Sequence, residues 1–504
     1  MLLKEKKKIH RLMNTLSEVI SHVPGYIEKP STLDDSYDSL EVSLETSINV
    51  ISNTLEQLEK ETVPPQKSLA QLLKIREKLI LMVNNPGAID KQNIKKLKRA
   101  IDLAQHLLSQ EVEVKMKVLF LPYKLSMWDS LETIYHAALK DNTCEVQVVP
   151  IPYYELERNE RVLVYEGNEF PEDIQVTHYN DYHLEEENPD IIYVHNIYDH
   201  YNTLTQVHEA YFTDNLKKHT DMLVYVPYHI SSFIDGKEKK YLAYHLPSIS
   251  NVDKVILAGT HVKQAAVRDG VSEDKLLVLG SPKIDYIVNA MKEDPVYPQG
   301  WKEKLQDKTV FLLNTGCLFF AHDPFYKVGL LSNFLNIPHI VENSIIIWRP
   351  HPLTRISIKK YTPGLLSYYD TLIKEYIQKD FIYHHVLMDE TKDYMPALMA
   401  ADILISDDGS LLRSFLLTGK KVLFYHRETP LNPSFLSQAS LPSDSFHYFF
   451  DHKQPWSEAI KALAKGIDSL TAKRSNMVER VYVNTDGTSG EKIHEAIMHA
   501  LYKK

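Results

Sequence analysis

Five stretches of the chain place chemically useful side chains directly after short apolar runs. "VYVPY" is followed by His229, "LLVL" by Gly280-Ser281-Pro282-Lys283, and "VFLL" by Asn314-Thr315-Gly316. "IIIW" is followed by Arg349-Pro350-His351-Pro352, and "ILI" by Ser406-Asp407-Asp408-Gly409-Ser410. In the last turn, Gly409 leaves room for close approach and Ser410 offers a hydroxyl. The start of the helix that follows has free N–H groups and a favourable dipole, which suits a phosphate or pyrophosphate. The two carboxylates need other work: one caps the helix, and the other turns to a sugar hydroxyl or Lys420. The plain alternative makes Asp408 an N-cap beside an empty loop. Arg413, one helical turn on, adds positive reach.

In Arg349-Pro350-His351-Pro352 the prolines hold the backbone extended. Arg349 and His351 are two positions apart and so face the same way. A guanidinium and an imidazole aimed at one spot suit a phosphoryl oxygen that gains charge as a bond breaks. Otherwise Arg349 pairs with a carboxylate and His351 steadies a turn. His229 ends a strand, where it could act as a general base near neutral pH or be a satisfied structural histidine. His195, Asp199 and His200 lack the tight spacing of a zinc motif, so no metal is expected.

The elements that must position these residues follow from periodicity. "MKVLFLPYK", "CEVQVVPIP", "DIIYVHN", "DMLVYVPYH", "VDKVILAG" and "KLLVLGSP" read as buried strands. After a gap containing Pro295, Pro298 and Gly300 come "KTVFLLNTG", "NSIIIWRPHP", "FIYHH" (381–385), "ADILISDD" and "KKVLFY". Helical patterns separate many of them, one from Ser126 to about Leu139, which implies parallel sheets covered on both faces. The expected fold is α/β, with two doubly wound Rossmann-like domains. Ligands in such sheets sit beyond the carboxyl ends of the strands, here in a cleft between domains. Residues 1–112 differ: helical spacing in 44–60, 66–83 and 90–108 predicts a module of three or more helices, suited to packing or self-association. The expected divisions are 1–112, 113–295 and 296–504, with a last helix near 489–502 packing back on either domain.

Composition narrows the class. The chain has 504 residues, 57 Lys and Arg against 67 Asp and Glu, a net charge of −10 and two cysteines. That argues against a whole-protein nucleic-acid binder, a disulfide framework and a cysteine zinc site. No apolar run approaches the ~18 residues of a membrane span, and the first residues do not read as a secretory signal. A cytoplasmic protein, at most peripheral to a membrane, is expected.

"GSPKID" (280–285), "WRPHPL" (348–353), "LISDDGSLLRSFLLTGKKVLFY" (404–425) and "NTDGTSGEKIHEAI" (484–497) occur in an order that resembles the CDP-glycerol glycerophosphotransferases of teichoic acid synthesis. The resemblance covers roughly residues 220–500. It implies a GT-B-like transferase that moves glycerol phosphate from CDP-glycerol to a hydroxyl, often on a polymer or lipid-linked acceptor at the inner membrane face. It places the acid–base histidine at His229, in "VPYHISS", and the donor-phosphate histidine at His351. The nucleotide-diphosphate turn falls on Ser406, Asp407, Asp408, Gly409 and Ser410, with Gly280, Ser281, Lys283, Asn314, Thr315 and Gly316 around the donor. The sequence departs from the family at Tyr228 and Ile230, at Lys283 in place of Arg, at Asn314-Thr315-Gly316, and at Asp408-Gly409. Two other readings therefore stand: a GT-B glycosyltransferase using a UDP- or CMP-sugar, and a non-catalytic scaffold of a polymer-assembly complex. No cofactor beyond the activated donor is expected.

Overall fold

The computed structural model describes residues 3–28, 33–61, 63–157, 160–230, 246–268, 270–378, 385–407, 409–425, 445–450, 455–475 and 477–502. Asp408, Ser231, Ser232 and most of the strand expected at 381–385 lie outside the described residues. The chain divides into two compact units, Met1–Lys117 with Asn142–Glu145, and Val118–Asp141 with Val146–Lys504.

The first unit contains α1 (Leu3–Glu28), α2 (Leu33–Glu59), α3 (Gln66–Asn84) and α4 (Lys91–Glu111). Helices adjacent in sequence pack together, and α1 also packs on α4, which closes a bundle. Its core includes Met13, Ile20, Ile51, Leu72, Leu79 and Leu97. Asp90 caps α4 by accepting from Asn93 N at 2.7 Å. Glu111 accepts from Ser68 N at 2.8 Å and so satisfies an orphan donor in the first turn of α3. The sequence reading named segments of α2, α3 and α4. It passed over α1, whose Ile9, Met13, Leu16, Ile20 and Val23 carry the same spacing.

The second unit holds the strands, but for Met116–Lys117 and Cys144–Glu145 at the starts of the first two. In chain order these are β1 (Met116–Leu121), β2 (Cys144–Val148), β3 (Tyr153–Leu156), β4 (Arg161–Val164), β5 (Ile191–Val194), β6 (Thr205–Val207), β7 (Met222–Tyr225), β8 (Lys254–Leu257) and β9 (Leu276–Val278). Then come β10 (Thr309–Thr315), β11 (Ser344–Pro350), β12 (Val386–Met388), β13 (Ile403–Ser406), β14 (Lys421–Phe424) and β15 (His447–Tyr448). One six-stranded sheet has the order β2-β1-β5-β7-β8-β9, the other β12-β11-β10-β13-β14-β15. β10 lies parallel between β11 and β13, with Leu313 opposite Trp348 and Ile405. Both orders reverse once: between β1 and β5 in the first lobe, and between β10 and β13 in the second. Such a switch point opens a crevice at the carboxyl ends of its two strands.

Two details depart from the sequence reading. A small antiparallel sheet, β4-β3-β6, decorates the first lobe. The helix expected from Ser126 splits into a 3-10 stretch, Leu125–Ser130, and a helix, Glu132–Lys140. Trp128, Asp129 and Ser130 are all buried, which the single apolar stripe of an amphipathic helix does not permit.

The final helix, Ser489–Tyr502, packs on the first lobe against Glu132–Lys140 and Pro282–Ala290. Buried Asp285 holds its start, accepting from Ser489 N at 3.0 Å, Gly490 N at 2.7 Å and Thr133 Oγ1 at 3.1 Å. Two of the stretches that carried the family resemblance, "GSPKID" and "DGTSGEK", thus meet as one clasp. Gly280 belongs to the same junction: its φ is +92°, and a Cβ there would run into Ser489 Oγ.

Candidate active site between the two sheets

The second lobe's wall is built at the switch point. Asn314, at the end of β10, donates to Ser406 Oγ at 3.2 Å and accepts from Tyr425 Oη through its carbonyl at 3.0 Å. His351 N donates to Thr315 O at 2.9 Å, which ties the end of β11 to β10. Thr315 Oγ1 accepts from Trp348 Nε1 and is buried. A Cβ at Gly316 would stand 2.7 Å from Asp407 Oδ2, so that carboxylate would have to shift.

That contact shows what one acidic side chain of the turn does. Asp407 Oδ1 accepts from Gly409 N at 3.1 Å, an Asx turn that shapes the loop. The Gly409 N–H expected for a phosphate is therefore already used. The helix behind it, Ser410–Leu416, has seven residues, so its dipole contributes less than the sequence suggested. Arg413 does not reach outward but folds back, donating to Gly409 O at 3.2 Å. Ser410 remains exposed at the loop's edge.

Arg349 lines the same cavity as His351, and of its two expected roles the structure shows the pairing with a carboxylate. Its guanidinium is buried against Asp389 at 2.5 Å and donates to Thr391 Oγ1 and to the carbonyls of Thr391 and Asp393. It orders the loop after β12, and Asp389 answers its charge. His351 keeps a role suited to phosphate. Its Nδ1 accepts from Leu353 N at 3.1 Å, so in the neutral ring the proton sits on Nε2. Burial, with Lys124 and Arg349 nearby, pushes its pKa down to about 4. At neutral pH it is an uncharged N–H donor.

The first lobe supplies Lys124 and Met127 after β1, Tyr228 after β7, and Lys283. Lys283 pairs with Asp129 at 2.5 Å, and Tyr394 of the second lobe donates to the same carboxylate at 2.7 Å. Lys392 reaches back to Glu166 at 3.3 Å. These contacts hold the lobes together around a cavity of about 140 Å³. Its lining includes Lys124, Tyr228 and Lys283 on one side and Asn314, Gly316, Arg349, His351, Lys392, Gly409, Ser410 and Ser414 on the other. A larger cavity of about 500 Å³ lies behind the Arg349–Pro352 segment, lined by Arg355, Tyr369, Lys374 and Glu390 among others.

His229 is not in the cavity that holds His351. It lines a small separate recess with Gly280 and Ser281. At the bend after β7, Tyr228 lines the cavity and His229 the recess. Burial, with Arg413 and Lys283 facing it, lowers the His229 pKa to about 4. His195 is structural: its Nε2 accepts from Tyr123 N at 3.1 Å, and Nδ1 lies 3.2 Å from Met127 O. Asp199 accepts from Thr213 N at 3.1 Å and from Thr213 Oγ1 at 2.7 Å. Sequence reasoning missed Lys124, Asp129, Tyr394 and Ser414. "FLPYK" carried a usable signal, since Lys124 follows a strand as the named residues do.

No family model matches the sequence, and no curated protein matches it. Among solved structures, a protein from Listeria monocytogenes provisionally assigned as a UDP-N-acetylglucosamine 2-epimerase aligns with a TM-score of 0.50 at 15% identity, over 78% of this chain and 98% of that one. The wall teichoic acid polymerase TagF aligns at 0.47 and 13% identity, over 87% and 98%. MnaA from S. aureus, solved with UDP, aligns at 0.46 and 13%, over 77% and 97%. At such identities the likeness speaks for the fold alone, and only the first reaches a TM-score that carries weight. The second unit of this chain has the GT-B-like arrangement of two Rossmann-type sheets.

Proposed function

We propose that the chain is a transferase acting on a nucleotide-diphosphate-activated donor, and that it moves an alditol phosphate such as glycerol phosphate from a CDP-linked donor to a hydroxyl acceptor. The observation that carries this is the cavity where the two switch points face each other, with Lys124 and Lys283 on one wall and neutral His351, Ser410 and Gly409 on the other. His351 Nε2–H donates to a phosphoryl oxygen as charge develops there. The acceptor oxygen attacks the phosphorus that bears the alditol. The P–O bond to the nucleoside monophosphate breaks, and CMP leaves. His229 has the neutral form that a base requires, but it must turn from its recess toward the cavity to take the acceptor proton. The acceptor fitting this chemistry is a polymer or lipid-linked hydroxyl, met at a membrane surface. No described helix is long and apolar enough to cross a membrane.

A UDP-sugar donor is the second reading. It is favoured by the fold shared with the Listeria protein, whose assigned substrate is a UDP-sugar. Thermal shift separates the two. A ligand at 100 times its dissociation constant stabilises by about 2.7 kcal/mol. Stabilisation by CDP-glycerol, CMP and CTP supports the first reading and stabilisation by UDP-sugars the second. No response to any nucleotide at millimolar concentration removes both and leaves a scaffold.

A further inference from the structure

One cation of the cavity has no ion-pair partner among the described residues. Lys124 follows β1 at the first sheet's switch point and is only 7% exposed. Its Nζ lies 4.4 Å from the Tyr153 ring centroid and, among the described residues, makes no hydrogen bond or ion pair. Glu166 and Glu155 bias it from a distance. Glu166 is already engaged, accepting from Tyr153 Oη at 2.8 Å and Leu125 N at 2.9 Å, and meeting Lys392 at 3.3 Å. The neighbouring cations are all matched: Lys283 to Asp129, Arg349 to Asp389, and Lys392 to Glu166 and Glu169. Across the cavity, Ser414 Oγ is also buried and has no hydrogen-bond partner among the described residues. A buried ammonium without a counter-ion is costly, as is a buried hydroxyl without a partner. One anion between them relieves both.

We propose that Lys124 is a phosphate-binding residue contributed by the first lobe, so that the ligand's pyrophosphate is gripped from both sheets, by Lys124 on one side and His351 and Ser414 on the other. The identity of the molecule carrying that pyrophosphate rests on the proposed function; the anion site does not. Lysine serves as a compact point charge for phosphate, and its flexible stem tolerates lobe movement.

The test uses the full chain with inorganic pyrophosphate, by calorimetric titration and thermal shift, on wild type, Lys124→Met and Lys124→Arg. Wild type is expected to bind and to melt higher with the anion. Lys124→Met is expected to bind about 10-fold or more weakly. Without ligand it should melt no lower than wild type, because an unmatched buried charge has gone. Lys124→Arg should recover part of the binding. A purely structural lysine gives the reverse: Lys124→Met melts lower and binds pyrophosphate as wild type does. That result overturns the proposal, as does wild type that ignores pyrophosphate. Nucleotide donors run in parallel separate this from the transferase reading. Lys124-dependent pyrophosphate binding with no response to CDP-glycerol or UDP-sugars keeps the anion site and removes the transferase. Donor turnover unchanged by Lys124→Met does the opposite.

Discussion

His351 shows how much a single backbone N–H decides. Leu353 N occupies Nδ1, so the neutral ring presents Nε2–H. His351→Ala should therefore lower turnover by ~10²-fold or more, the scale of losing one charge-stabilising donor, without unfolding the protein. A rate near wild type would remove His351 from the chemistry. The buried histidines also make a stability prediction. The folded pKa is about 4 for His351 and His229 and about 3 for His195, against the usual 6.5. A depressed folded pKa means that the unfolded state takes up protons first as the pH falls. The stability of the neutral rings is complete above pH 6.5 and is lost as the pH drops toward 4. Each ring contributes a slope of about 1.4 kcal/mol per pH unit in that window. Urea denaturation from pH 7 to 4 measures it, and a flat profile would contradict buried neutral rings.

At the scale of elements, the loops work because each has a fixed neighbour. Gly316→Ala should displace Asp407 and release Gly409 N, costing about 1–3 kcal/mol and weakening donor binding together. Unchanged melting and affinity would show that the contact is slack. Asp285→Ala strips two N–H partners from the last helix. It should cost about 2 kcal/mol by chemical denaturation, a lost cap plus buried unsatisfied donors; a loss below about 0.5 kcal/mol would show that the clasp is idle. The apolar runs and the residues after them were legible because strand period and turn chemistry are local. Hence β10, β11 and β13 could be read, and so could the residues at their ends. Partners were not legible, because they come from distant sequence. Nothing near Arg349 announces Asp389, and nothing near Asp285 announces Ser489. Direction was also hidden: Tyr228 and His229 are neighbours, and only packing decides which ring faces the cavity.

For the molecule as a whole, the cavity sits at the meeting of two lobes, and its cations come from both. Under the proposed function, side chains supply the positive charge for the diphosphate, so EDTA should leave donor-induced stabilisation unchanged. A thermal shift lost on chelation would point instead to a metal held near Asp407. The returning C-terminal segment has a mechanical consequence. The backbone passes from first lobe to second near residue 300 and comes home through Val483, whose N–H donates to Ala258 O, to the helix held by Asp285. A jaw pinned at two points can swing only about the line that joins them, so the path by which substrate enters and product escapes is set by where the chain's tail is sewn down.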